Sequence, residues 1–371
     1  MSDDTPQPDR IEGAPHPRDT ARLIGQDAPQ AAFLDAFNSG RLHHGWLLTG
    51  PRGVGKATLA WTIARFLLST PAPGQEDGLF GAPPAPETLT IPEDHPVAAR
   101  VRAGSDPGLY HITRRVNPDT GRLRAQILAE DVRDLNRFLQ LSSTDGGARV
   151  VLIDSADDMN VQAANALLKM LEEPPARTTL LLISHAPARL LPTIRSRCRE
   201  LRLAPLSPGD LSEALAQAGV DTDKGEGLAA LAAGSVGEAV RLANLGGLEL
   251  YSELVAIMAS LPGLDRPRAL KLADAAATRG AEDRLDLLIT LLDTALARLA
   301  RTGATGAPPS PAATPDEAAA FARLAPDARA ARAWAECAQE IGARARHARA
   351  VNLDPAALVL DTVFRLQQTA A

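Results

Sequence analysis

The sequence predicts an α/β domain, a parallel sheet with helices on both faces, followed by a small helical domain and a larger all-α domain. Three observations lead there. The apolar runs Trp46-Leu47-Leu48, Val150-Val151-Leu152-Ile153 and Leu180-Leu181-Leu182-Ile183 are continuous instead of alternating, the pattern of parallel strands buried on both faces. Segments with helical spacing separate these runs, and strands alternating with helices form βαβ units. Beyond Pro205 the strand-like runs stop and an Ala/Leu-rich helical period takes over.

Residues 1–20 are polar and Pro-rich without an apolar h-region. They are expected to form a disordered tail, not a signal peptide. Between Arg22 and Leu42, Phe33, Leu34 and Phe37 have helical spacing. The run Trp46–Leu48 ends at Gly50, and Lys56–Leu68 repeats Leu59, Ile63, Phe66 and Leu67 at helical spacing. Residues 70–108 are Pro- and Gly-rich and are expected to be a long, partly mobile loop. Asp131–Leu141 is predicted helical. Val150–Ile153 is a strand with Asp154 at its C-terminal end, and Val161–Leu171 is a helix stopped by Pro174-Pro175. The domains expected are 21–205, 206–246 and 247–371. The last is interrupted by a Gly/Ala/Pro/Thr segment, 302–315, read as a flexible loop.

Composition narrows the function. Among 371 residues aromatics make up 3%, so Leu, Ala, Val and Ile must build the core, which favours helices over a β-sandwich. Net charge is −6, and the only lysines are Lys56, Lys169, Lys224 and Lys271. A chain that binds DNA strongly by itself carries a basic stripe, and none is present. Two distant cysteines, Cys198 and Cys337, make neither a four-cysteine zinc site nor a disulfide framework. No apolar stretch approaches a membrane span. The expected location is cytoplasmic, with no membrane partner.

Gly50-Pro51-Arg52-Gly53-Val54-Gly55-Lys56 has the spacing of a Walker A loop between strand and helix. Its glycines let backbone N–H groups close around phosphates, and the helix N-terminus adds a favourable dipole. Lys56 would reach the β- and γ-phosphates. The next position normally supplies a hydroxyl to Mg²⁺, but here it is Ala57. Thr58 comes one residue late, a rotation of about 100° on a helix. Asp154 takes the Walker B position. The following residue, where a water-orienting carboxylate is needed, is Ser155. Asp157 and Asp158 are read as caps of the helix starting near Asn160. Residues Gly50 to Thr58 with Asp154 are thus a nucleotide-binding set expected to hydrolyse poorly or not at all.

Arg195-Ser196-Arg197-Cys198-Arg199 places three arginines alternately after the third strand. A guanidinium on a rigid edge can reach another subunit's γ-phosphate. A solvated charge cluster is the other reading, and by itself the pattern favours it.

Longer motifs alter that balance. Ser196-Arg197-Cys198 resembles the SRC motif of bacterial clamp-loader AAA+ subunits, whose arginine is a finger. Asn165 to Pro175, NALLKMLEEPP, resembles their preceding helix. Leu23-Ile24-Gly25-Gln26 is similar to their adenine-side segment, and Arg41-Leu42-His43-His44 is also typical. The resemblance spans about residues 21–206. Within the family the chain is most similar to the delta-prime type of DNA polymerase III. The gamma/tau type keeps Thr after the P-loop lysine, an Asp-Glu pair in Walker B and a lid arginine. Here the lid turn reads Gly234-Ser235-Val236-Gly237-Glu238, with Arg241 one turn later as a weak substitute. The family's four-cysteine zinc module is missing. That stretch holds only His95 and His111, expected to be surface residues, so no zinc is expected. Ser184 or His185 takes the sensor-1 place.

The resemblance implies a P-loop AAA+ domain, a helical lid over 206–246 and a collar over 247–371. It implies a hetero-oligomer with gamma/tau and delta subunits, acting on the beta sliding clamp and primed DNA. The chain would be a stator and a non-catalytic subunit of the polymerase holoenzyme. It would supply Arg197 in trans, and its own loop would be open to ATP or ADP with weak Mg²⁺ coordination. Two alternatives stay open: a gamma/tau-type motor, which would hydrolyse ATP by itself, and a free-standing P-loop nucleotide-binding protein, which would need an effector domain. An architectural scaffold differs from the stator only in whether Arg197 acts.

Overall fold

The computed structural model describes residues 7–20, 22–72, 84–140, 147–220, 225–278, 282–351 and 353–371. The chain divides into two compact units. One holds Met1–Ala214 with Gly234–Gly237, the other Leu215–Ala233 with Glu238–Ala371. The boundaries expected at 205/206 and 246/247 do not coincide with these, because the turn Gly234–Gly237 belongs with the first unit.

The first unit runs α1 (Asp27–Asn38), β1 (Gly45–Thr49), α2 (Lys56–Ser69), α3 (Pro96–Arg102), β2 (Leu109–Ile112), α4 (Ala129–Gln140), β3 (Arg149–Ile153), α5 (Val161–Glu172), β4 (Thr178–Ser184), α6 (Pro192–Arg195) and β5 (Arg199–Arg202). The five strands form one sheet in the order β2-β3-β4-β1-β5, all parallel. The predicted α/β class is therefore present. Strands β1 and β4 are buried along their whole length, as their unbroken apolar runs require. Val132, Leu135, Leu167 and Leu171 pack with Val151 and Leu180. Two strands were not read from sequence. β2 (LYHI) and β5 (RELR) are the sheet edges, and β5 exposes Arg199, Glu200 and Arg202 around one buried residue, Leu201. A short charged strand is a normal edge device, and its pattern hides it from an apolar search.

The N-terminal expectation is corrected. Residues 1–6 lie outside the described residues, but 7–20 are ordered. His16 caps a 3₁₀ turn (Pro17–Asp19), accepting from the Arg18 amide at 3.1 Å. Its ring faces Asp9 at 3.1 Å and the edge of Trp61. Arg65 of α2 donates to the Arg18 carbonyl at 2.7 Å. Within the expected loop 70–108, residues 73–83 lie outside the described residues, but Pro96–Arg102 is helical, capped by His95 and started by Pro96.

The second unit is helical. α7 (Pro208–Gln217) leads into it, followed by α8 (Gly225–Ala232), α9 (Val236–Asn244), α10 (Gly247–Ser260), α11 (Arg266–Ala276), α12 (Glu282–Thr305), α13 (Glu317–Leu324), α14 (Ala328–Ala350) and α15 (Pro355–Ala370). Among the described residues no single helix is long and apolar enough to cross a membrane. The segment expected to be a flexible loop, 302–315, is exposed through its middle but held at both ends. Residues 302–305 finish α12, and Thr302, Ala313 and Thr314 are buried. The reason is Glu317, fully buried at the start of α13. Its carboxylate accepts from Tyr251 Oη at 2.6 Å, Arg298 Nε at 2.6 Å and the Ala313 amide at 2.6 Å. Arg298 also donates to the carbonyls of Ala230 and Pro311. Burial, then Glu317, pushes the Tyr251 hydroxyl far above its usual range. Removing one member of a buried ion pair leaves the other uncompensated. Glu317→Ala is expected to cost about 3–5 kcal/mol of stability, measured by urea unfolding followed by circular dichroism.

Candidate nucleotide loop and arginine edge

β1 leads directly into residues 50–55, and α2 begins at Lys56. The loop needs glycine at close approaches. A Cβ on Gly50 would collide with the Leu203 carbonyl. One on Gly53, at φ +73°, would collide with the Ser235 hydroxyl and the Gly237 backbone. Three contacts brace the loop from outside. Ser235 Oγ donates to the Arg52 carbonyl at 2.9 Å, and the Gly237 amide to the Gly53 carbonyl at 3.1 Å. Buried Gln26 donates to the carbonyls of Val54 (3.1 Å) and Ala204 (2.8 Å). Sequence analysis missed Ser235 and Gly237 as loop partners, since a contact across some 180 residues leaves no local pattern.

Lys56 is buried, and its Nζ donates to the carbonyls of Gly50 (2.8 Å) and Pro51. Burial, opposed by Asp154 and Asp157, pushes its ammonium down to about 8. Burial and the nearby Asp9 charge push the Asp154 carboxyl up to about 7, against the attraction of Lys56. Ala57 follows with no hydroxyl, and Thr58 gives its carbonyl to Thr62 Oγ1.

The helix-cap reading of Asp157 and Asp158 is wrong. Asn160 caps α5, accepting from the Ala163 amide at 2.8 Å. Asp157 ties down the end of β4 instead. One oxygen accepts from Ser184 Oγ at 2.7 Å, the other from the amides of His185 and Ala186. Asp158 pairs with Arg114 at 3.2 Å. Of the two residues at the strand end, Ser184 thus commits its hydroxyl to Asp157. Burial and the charge of Lys56 push His185 down to about 4, so its ring is neutral. His111, expected at the surface, is largely buried in β2 against Trp61, and burial pushes it to about 4.

The arginine stretch lies at the other edge of the sheet. β5 pairs with β1 in parallel, Trp46 against Arg199, so residue 197 falls before the N-terminal end of β5. A Cβ on Gly45, the first residue of β1, would press on the Arg197 carbonyl and Cys198 Sγ at 3.2 and 3.4 Å. The loop leaves the opposite end of β1. Five residues at about 3.3 Å each put on the order of 15 Å of strand between them. Ser196 Oγ donates to the Thr193 carbonyl at 3.2 Å, and burial pushes the Cys198 thiol up to about 12. Ser and Cys therefore hold the turn from which Arg197 projects. Arg197 Nη2 ion-pairs with Glu172 Oε1 at 2.8 Å, and its Nη1 donates to the Thr193 carbonyl at 3.1 Å. Arg199 lies over the Trp46 ring, 5.2 Å from its centroid. In the second unit, Arg241 pairs with Glu238 at 3.2 Å.

A family model described as DNA polymerase III, delta subunit, matches residues 25–207. The chain is 40% identical to DNA polymerase III subunit delta' of Pseudomonas aeruginosa over 217 residues, 57% of this chain and 59% of that one. Its identity to subunit delta' of Escherichia coli is 32% over 179 residues, 47% and 46% of the two chains. Subunit tau of Escherichia coli is 30% identical over 190 residues, 51% of this chain and 26% of that one. Through residues 25–207 the chain is similar to the delta' subunits of DNA polymerase III. It spans about half the length of the delta' relatives it matches. The matched stretch contains the whole sheet, the Gly50–Lys56 loop and Arg197, and it ends before α7.

The electrostatics of the loop give a pH signature. Asp154 ionises near its ordinary 3.8 in the unfolded chain and near 7 in the fold. Ionisation therefore favours the unfolded chain, and stability is lost as pH rises from about 4 to about 7. Asp154→Asn keeps the shape and deletes the charge. The variant is expected to gain stability over the parent across that window, reaching on the order of 2–4 kcal/mol above pH 7. Urea unfolding at several pH values measures it. A gain equal at all pH values would contradict the assignment.

Proposed function

We propose that this chain is the delta-prime-type stator of a DNA polymerase III clamp loader. It presents Arg197 to ATP held by an adjacent gamma/tau subunit, in a complex that also contains delta. Hydrolysis at that neighbouring site releases the beta sliding clamp onto primed DNA, in the cytoplasm. The observation that carries this reading is the separation along β1. The Trp46–Arg199 register sets Arg197 at the N-terminal end of β1 and Lys56 beyond its C-terminal end, so the arginine cannot serve its own chain's loop.

The loop itself suits a phosphate. Its glycines have positive φ, and the N-terminus of α2 opens onto it. Backbone amides from Gly53 to Lys56, with the Lys56 ammonium, would hold ATP or ADP, and Asp154 would face Mg²⁺. A triphosphate supplies the bond that hydrolysis breaks, but this chain does little for that step. Ala57 gives the metal no hydroxyl, and both oxygens of Asp157 are committed to the end of β4. Of the other described carboxylates that act on Asp154, Asp9 pairs with His16 and Asp158 with Arg114, and Ser155 stands where a water-orienting carboxylate is needed.

Two measurements test the reading. The purified chain is expected to show no ATPase above that of Lys56→Ala; a robust rate lost in that variant would make it a motor. Reconstituted with gamma/tau and delta, Arg197→Ala is expected to lower the DNA- and clamp-stimulated ATPase. The loss at the served site is on the order of 10³, and smaller in bulk because other sites keep their own fingers. A mutant complex that matched the parent would end the finger reading.

A further inference from the structure

Of the three alternating arginines, Arg197 alone has its guanidinium held at two points by polar groups. Arg195 is exposed and its side chain makes no hydrogen bond or ion pair among the described residues, and Arg199 rests on Trp46. Arg197 Nη2 meets Glu172 Oε1 at 2.8 Å, and Nη1 meets the Thr193 carbonyl at 3.1 Å. Its backbone is held as well, by the Ser196 bond to Thr193 and by the close approach of Gly45 to the Arg197 carbonyl. What is left to fix is the long, rotamer-rich side chain.

Glu172 is a costly residue where it stands. It is the last residue of α5, where the helix dipole disfavours a negative charge. It caps nothing there, since the Glu173 amide closes the helix onto the Lys169 carbonyl. Its side chain is half exposed, so burial does not account for it either. Its side chain is ion-paired with Arg197.

We infer that Glu172 is a positioning residue for the arginine finger, holding the Arg197 guanidinium plane toward the neighbouring subunit before that subunit's nucleotide arrives. This rests on the reading of Arg197 as a finger in trans. Solvent screens a half-exposed carboxylate, so Glu172 orients the fork and leaves most of its field available. An arginine loses much of its rotamer freedom when its fork is fixed, and two anchors remove that loss from the step in which the neighbour's phosphate is engaged. The effect belongs to turnover, not to nucleotide affinity.

The test reconstitutes the complex with gamma/tau subunits lacking their own finger, so that turnover served by Arg197 is the signal. Glu172→Ala is expected to lower kcat about tenfold with KM for ATP unchanged. Glu172→Gln, which keeps the length but removes the charge of the ion pair, is expected to lose rate as Glu172→Ala does, whereas Glu172→Asp, which keeps the charge, is expected to retain more of it. Glu172→Ala with Arg197→Ala is expected to be no slower than Arg197→Ala alone. Parent-like or faster turnover in Glu172→Ala overturns the inference. So do losses that multiply with those of Arg197→Ala, or a defect confined to assembly on gel filtration with normal turnover per assembled complex. If Arg197→Ala itself is silent, the finger reading fails. If Arg197→Ala collapses turnover while Glu172→Ala does not, only the role of Glu172 fails.

Discussion

The parallel pairing of β1 with β5 is the constraint on which the site depends. β1 is five residues long, fully buried, and central between β4 and β5. Its C-terminal end launches the phosphate loop. Its N-terminal Gly45 receives the backbone of Arg197 and the Cys198 sulfur. In parallel pairing the N-terminal ends of the strands share one end of the sheet and the C-terminal ends the other. The loop and the arginine therefore face away from each other, and any phosphate that Arg197 touches belongs to another molecule.

The side chains around the loop are committed to holding the fold. Asp157 lies close enough to Lys56 to act on its charge, but its oxygens are used to tie down the turn after β4. That tie is structural, since it satisfies two amides that a strand end would otherwise leave bare. Gln26, Ser235 and Gly237 brace the loop by donating to its carbonyls.

In the second unit, polar burial decides order where composition suggests none. The Ala/Pro/Thr segment after α12 has little apolar surface of its own. It is held because Glu317 takes an amide from it and ion-pairs with Arg298, which also donates to its Pro311 carbonyl. A buried carboxylate needs partners, and here the partners include the connection itself.

The central strands, the phosphate loop, the loss of its metal hydroxyl at Ala57 and the arginine motif were legible in the sequence. Each is a local pattern, a continuous apolar run or a fixed spacing of residue types. The edge strands, the partial burial of His111 and the ordering of residues 7–20 were not, because each depends on what lies alongside. β5 is polar by composition and becomes a strand by pairing with β1. His111 is only partly exposed because Trp61 and Asp9 reach it from elsewhere in the chain. Asp157 reads as a helix cap until the end of β4 is placed beside it. The sequence by itself determined which chemical groups are present and which are missing. Only the tertiary structure decided where they point, since strand register turns distance along the chain into opposite ends of one sheet.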